Sequence, residues 1–425
     1  MLSVRILLLI CSLLLIASAG LLWVMGEEVA IGPILLAGLV FAAISFLRFD
    51  ALKSFSYTIW ILVAVAAAMF YPGAFHSIGG FELKHVIVPF VQLTMFGMGA
   101  HMTFNDFKGV VKMPKGVVIG VCCHFLVMPL VAYGLSHLFD FPAEISGGII
   151  LIGCVSSAMA SNVMSYLAGA NLALAVTTGA VSTMVSPFVT PFLMQWLGGQ
   201  YVEVDVAHMM IDITNMIIIP VMAGFIFNLY YYRDTPKKQV AMQMISYAII
   251  ILLTNIVLTW VTHGTLVGFL RSTVTSFAWF YVLPLLAALL FRRYRESVSR
   301  KQLDSGLSFA AMLGIVINTV VITASGRDNL LEVGGLLIVT CLLHNVAGLS
   351  LGYFLAKLFG LPEKDRRTIA FEVGMQNGGV ATGLALQMGK VATVGLASAI
   401  FGPLQNVTGS ALANWFKRKD RQAGR

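Results

Sequence analysis

Charge is scarce in this chain: Asp, Glu, Lys and Arg together make up 11% of its 425 residues. A water-soluble protein carries charge at about a quarter of its positions. A surface this poor in charge takes lipid as much of its solvent. Acids are scarcer than bases, 19 against 27, for a net charge of +8. In a membrane protein that excess reads as topology, bases gathering in cytoplasmic loops, rather than as affinity for nucleic acid. Cysteine is also sparse. Cys11, Cys122, Cys123, Cys154 and Cys341 all lie in apolar runs. Their spacing excludes a disulfide framework or a metal-ligand set, leaving small packed hydrophobes. The sequence has no HExxH, GxSxG or paired-Asp signature, so membrane-enzyme chemistry has no visible constellation. No nucleotide-binding segment lies outside the apolar runs, which argues against ATP as a driving force.

What is abundant is apolar sequence, 58% of the chain. About 20 apolar residues cross a bilayer as a helix. Spans read near 4–25, 30–47, 55–72, 86–102, 117–138, 145–168, 171–198, 208–231, 240–262, 273–291, 306–325, 333–356, 368–388 and 393–415, fourteen helices in an all-α polytopic membrane protein. The first run resembles a signal peptide, with Arg5 and then ASAG. Its apolarity continues through Leu21, Leu22, Trp23 and Val24, which favours an uncleaved first helix. With the N-terminus inside and the spans alternating, every Lys and Arg except Lys84, Arg271, Arg327 and Lys390 falls on the inner side, as does the C-terminus. This is the pattern of a bacterial inner-membrane protein.

Charges within spans mark function by default. Asp212, in MMIDITNM, lies near the outer end of its helix, where a structural role suffices. Glu372 lies mid-span in FEVGMQNGGVATG, where Gly374, Gln376, Asn377, Gly378 and Gly379 crowd together. Such a segment exposes backbone groups that lipid cannot satisfy, and is tolerated where it lines a cavity. A second interruption occurs in GCVSSAMASNVMSYLAGAN, at Ser156, Ser157, Ser161 and Asn162. Two interrupted spans in corresponding positions of two halves point to a transporter with inverted repeats. Residues 117–198 and 333–415 each give three helices with the broken one in the middle.

The stretches FGMGAHMTFNDF, ASNVMSYLAGANLALAVTTGAVSTMVSPFVTP, EVGMQNGGVATGLAL and NVTGSALANWF resemble the bile acid:sodium symporter family, over roughly residues 55–232 and 304–416. The resemblance implies a ten-helix fold with a core of two inverted repeats, two discontinuous crossing helices and a panel domain. Two further helix pairs then stand outside it. The implied organisation is an extra N-terminal pair (1–54), panel helices (55–116), core repeat one (117–198), a panel helix (199–238), an inserted pair (239–300), a panel helix (301–332), core repeat two (333–416) and a basic tail (417–425).

By the same resemblance, one sodium site takes Ser161, Asn162 and Glu372 together with two hydroxyls on the next helix. Those two positions are Ala175 and Gly179 here, with Thr178 and Ser182 the hydroxyls three residues further on. The second site takes Glu372, Val373, Met375 and Gln376, plus a glutamine whose position is His124 here. Imidazole is a poor sodium ligand, so sodium coupling and a proton relay through His124 and Glu372 both stand. Substrate contacts fall near Met159, Ala160, Asn377 and Asn406. His344 reads as structural. The implied function is symport of a small organic anion, a carboxylate or a bile-acid-like compound, without an organic cofactor. A channel, a ligand sensor and a membrane enzyme are the rivals, which saturable, gradient-driven uptake would separate.

Overall fold

A computed structural model describes residues 4–49, 53–102, 109–231, 265–293 and 300–422, with 244–245, 248–249, 251–253, 255–256 and 259. The first helix of the expected inserted pair, near 240–262, and the basic stretches 232–239 and 294–299 therefore lie largely outside the described residues, as does the FNDF motif.

The described chain is almost entirely helical. The helices are α1 (Val4–Met25), α2 (Glu28–Phe46), α3 (Lys53–Phe70), α4 (Ile87–His101), α5 (Pro114–Leu138), α6 (Ala143–Cys154), α7 (Ala160–Leu167), α8 (Leu172–Leu193), α9 (Val206–Ile213) and α10 (Ile219–Tyr231). They continue with α11 (Leu266–Phe277), α12 (Leu283–Arg293), α13 (Arg300–Ser325), α14 (Arg327–Leu358), α15 (Glu363–Gly374), α16 (Gly378–Gln387) and α17 (Val394–Gln422). A two-residue-per-strand hairpin, Ser77–Ile78 with Phe81–Glu82, joins α3 to α4. Among the described residues, seven helices are long and apolar enough to cross a membrane.

The helices sort by what covers them. α1 is apolar all round yet buries only Ser12 and Ala19. That is the signature of a helix against lipid rather than against protein. It packs on α2, α2 on α3, and α3 on α13, so the N-terminal pair forms an outer layer. The main apolar core joins α4–α6, α8–α10 and α13–α17. One contact shows how small residues set this packing. A Cβ on Gly99 of α4 would strike the Val221 carbonyl of α10, and one on Gly224 would strike the Phe96 carbonyl. The two helices therefore cross backbone to backbone, a close approach that only glycine permits in a membrane bundle.

Both interrupted spans are broken in the structure. α6 and α7 are separated by residues 155–159, and α15 and α16 by residues 375–377. α5–α8 and α14–α17 share the order of a long helix, a broken helix and a second long helix.

Candidate functional site

The two breaks meet. Val155 (ψ 169°) and Met375 (ψ 121°) leave the helical region, and the extended segments run antiparallel, pairing Ser157 with Gln376. Ala158 N donates to Met375 O at 3.0 Å, and Asn377 N donates to Ser156 O at 2.9 Å. Backbone groups released from two helices thus satisfy one another where lipid or packed side chains offer nothing.

Side chains from the flanking helices secure the remaining carbonyls. Thr190 donates to Cys154 O at 2.7 Å, and Asn345 donates to Gly374 O at 2.8 Å. Each therefore closes the C-terminal end of one half-helix, Thr190 for α6 and Asn345 for α15. Gln405 of α17 accepts from Gln376 N (2.7 Å) and donates to Gln376 O (2.9 Å), so one amide serves both backbone groups of the central residue. The half-helices α7 and α16 begin at this crossing, and their N-termini bring partial positive charge to it. Asn377 caps α16, its side-chain oxygen accepting from Val380 N.

Glu372 is fully buried beside the crossing. Ser161 donates to its Oε1 at 2.5 Å, and Ser157 lies 3.4 Å from Ser161. The other carboxylate oxygen, Oε2, is buried without a hydrogen-bond partner, as are Asn162 Oδ1, Thr178 Oγ1, Gln376 Oε1 and Ser156 Oγ. Unpaired buried oxygens are costly. An unpaired carboxylate oxygen, with other unpaired oxygens on the same broken helices, fits a hard cation, which prefers oxygen ligands.

The expected residues divide as follows. Ser161 and Glu372 are in direct contact. Val373 and Met375 have carbonyls already accepting, from Gln376 Nε2 (3.0 Å) and Ala158 N, and each oxygen retains a second lone pair. On helix α8, Gly179 faces Glu372. A Cβ there would stand 3.3 Å from Oε2. Ser182 instead donates to Gly179 O within its own helix (2.9 Å), and the Thr178 side chain packs near Gly120 of α5. His124 is fully buried, with Nδ1 2.8 Å from Glu372 O and Nε2 2.8 Å from Val155 O. It therefore bridges the two broken helices. Met159, half-buried Ala160 and Asn377 lie at the half-helix N-termini, and Asn377 reaches Met95 of α4. Asn406 makes none of the bonds to the crossing that its neighbour Gln405 makes.

Gln405, Asn345 and Thr190 were not legible as site residues. Each is one polar residue among several in its helix, with nothing in the local sequence to mark it off from its polar neighbours. His344, expected to be structural, is buried with Nε2 3.0 Å from Met128 O.

A helical membrane bundle in which two broken helices cross around a buried carboxylate has the layout of a membrane transporter, and comparison with known proteins agrees. The model of the sodium bile acid symporter family matches residues 88–269. The chain is 30% identical over 371 residues to the uncharacterized sodium-dependent transporter YocS of Bacillus subtilis, covering 87% of this chain and 94% of that protein. It is 27% identical over 367 residues to the probable sodium/metabolite cotransporter BASS1, chloroplastic, of Arabidopsis thaliana, covering 86% of this chain and 74% of the relative. A solved sodium proton antiporter from Methanocaldococcus jannaschii superimposes with a TM-score of 0.48 at 12% identity, over 90% of this chain and 97% of that one. The protein belongs to the sodium bile acid symporter family. It is a membrane transporter, not an enzyme.

Proposed function

We propose that this protein is a secondary active transporter that couples sodium entry to the movement of a small organic anion by alternating access. The observation that carries the reading is the Glu372 carboxylate, buried at the crossing with Ser161 on one oxygen and nothing on the other. Sodium, as cargo, takes its charge balance from Glu372 and its remaining oxygens from Ser161, Asn162, the carbonyls of Val373 and Met375 and the unpaired Gln376 Oε1. The organic anion sits beside it, at Met159, Ala160, Asn377 and Asn406, facing the positive half-helix ends. No Lys or Arg among the described residues lies at the crossing, so the half-helix termini and the bound cation together hold the anion. The breaks in the middle of α5–α8 and of α14–α17 support inverted repeats at 117–198 and 333–416. α3, α4, α9, α10 and α13 form the panel against which that core rocks. Fourteen spans, both termini in the cytoplasm and a bacterial inner membrane complete the reading, supported by the distribution of Lys and Arg.

The test is thermal unfolding of the purified protein in sodium against potassium, with Glu372→Ala beside wild type. Sodium should raise the apparent Tm of wild type alone. Equal Tm values in the two salts, with no difference between the proteins, would sink the proposal.

His124 supports a second reading. Two carbonyls, neither able to donate, each lie 2.8 Å from a ring nitrogen. Neutral imidazole donates to one of them, imidazolium to both. A protonated His124 would stand as a fixed cation where the family resemblance puts a second sodium, leaving one sodium per cycle. His124→Gln then restores a second sodium, seen as a steeper dependence of uptake on sodium concentration. An unchanged slope would remove this reading.

A further inference from the structure

The inserted segment contributes a helix to a cavity that the crossing does not use. α11 (LVGFLRSTVTSF) is two-faced. Leu266, Val267, Leu270 and Val274 are exposed on one side. Gly268, Arg271, Ser272, Thr275 and Ser276 share the other, at the i, i+3, i+4, i+7 spacing of a single stripe. Arg271 is exposed and precedes the apolar run at 273–291, so its charge stands at the membrane boundary rather than within the bundle. This stripe faces a cavity of about 510 Å³, closed on the other sides by Gln92 of α4, Asp212 and Asn215 of the panel, and Gln387 at the end of α16. Asn255 joins it from the preceding segment, fixed by Ser272 Oγ at 2.6 Å from its side-chain oxygen.

The position is informative. α15 begins beside Lys364 and Arg366, and α16 continues from the crossing to end at Gln387. The cavity therefore opens at the end of the bundle opposite those basic residues, between panel and core. A smaller cavity of about 240 Å³ shares Asp212 and Gln387 with it and continues to His208 and Lys390. Among the described residues Arg271 is the only Lys or Arg lining the larger cavity, and no carboxylate pairs with it. Asp212 and the amides supply acceptors and donors for polar groups on the rest of a ligand. Among the described residues Val88, Met216 and Ile219 add apolar wall. Arg271 with these amides and hydroxyls suits an anion that also accepts and donates hydrogen bonds.

We propose that this cavity is a water-filled vestibule that recruits a hydrogen-bonding anion to the transport path, with Arg271 as its cation, so that the inserted helix α11 acts in substrate selection. The proposal rests on the anion-transport reading above, and its test does not use transport. Ser276→Cys places a thiol in the vestibule. Its labelling by an anionic sulfonatoethyl methanethiosulfonate and by a cationic trimethylammonioethyl methanethiosulfonate is followed by intact mass, with wild type as the background. Both reagents should label the added thiol. The ratio of anionic to cationic rate should fall about tenfold when Arg271→Gln is added, as expected for losing a nearby unit charge at intermediate dielectric. Arg271→Lys should hold the ratio. No labelling by either reagent, or a ratio indifferent to Arg271→Gln, overturns the vestibule. The sodium effect on Tm, measured on the same Ser276→Cys protein, reports separately on the symport reading.

Discussion

Replacing Gln405 tests whether the crossing is held as described. Its amide makes two hydrogen bonds, 2.7 and 2.9 Å long, to the N–H and C=O of Gln376, and both residues are buried. Gln405→Leu keeps volume and apolar packing but leaves two backbone groups with no partner. An unsatisfied buried group costs about 1–3 kcal/mol, so the change should cost about 2–6 kcal/mol. Larger chains shift by roughly 2 °C or less per kcal/mol, giving a fall in apparent Tm on the order of 5 °C. Asn406→Leu, one residue along the same helix, makes neither bond and serves as the control. The assay is thermal unfolding in detergent, with and without sodium. The crossing sets the position of Glu372, so the sodium-induced rise in Tm should shrink with Gln405→Leu. If Gln405→Leu and Asn406→Leu unfold at the same temperature, the bonds to Gln376 do not hold the crossing and the reasoning fails.

Gly179→Ser should restore a hydroxyl where the family resemblance expects one. Its Cβ would stand 3.3 Å from the unpaired Glu372 oxygen. The sodium concentration for half-maximal stabilisation should drop about tenfold, the effect of one added hydrogen bond to a charged group; a rise would show that the contact is steric. Arg367 is 5% exposed and forks onto Asp420 at 2.6 and 2.7 Å while also bonding Glu363 and Ala168 O, which ties α15 to α17 and to the end of α7. Arg367→Ala strands those partners and should cost about 3–5 kcal/mol in thermal unfolding; Arg367→Lys should recover only part, and full recovery would show that the fork is unimportant. At the opposite end, Glu144 is held below the usual carboxylate range by its bonds to Lys390 and Thr393. A depressed carboxylate contributes stability that is present above its unfolded value and lost as pH falls through its folded value. Apparent Tm should therefore drop in acid more steeply for wild type than for Glu144→Gln, and parallel curves would remove the link.

Much of the architecture was legible because its signals are local. Long apolar runs specify helices whatever their neighbours. The breaks were legible too. A serine cluster with Asn162, and Gly374 followed by Gln376 and Asn377, cannot continue an apolar helix without leaving polar groups unpaired. Their limits, residues 155–159 and 375–377, fall within the motifs that marked them. Glu372 declared itself as an acid at mid-span.

What the chain alone left open concerns groups far apart in sequence. Whether Thr178 or Ser182 serves the carboxylate depends on the rotation of α8 against α15, which packing decides by turning Gly179 toward Glu372. His124 presents one residue type and several roles, and only the tertiary structure sets its ring between carbonyls 31 and 248 positions away. Gln405 looks like any lone amide until α17 lays it beside Gln376. The inserted helix α11 carried its polar stripe in plain sequence, yet the stripe acquires meaning only where α4, α9 and α16 close a cavity against it. Local sequence determined which segments form apolar helices and where two of them break, because solvation and backbone hydrogen bonding act within a few residues. Tertiary packing decided which polar groups meet, because in a lipid-soluble bundle those groups have nowhere else to be satisfied.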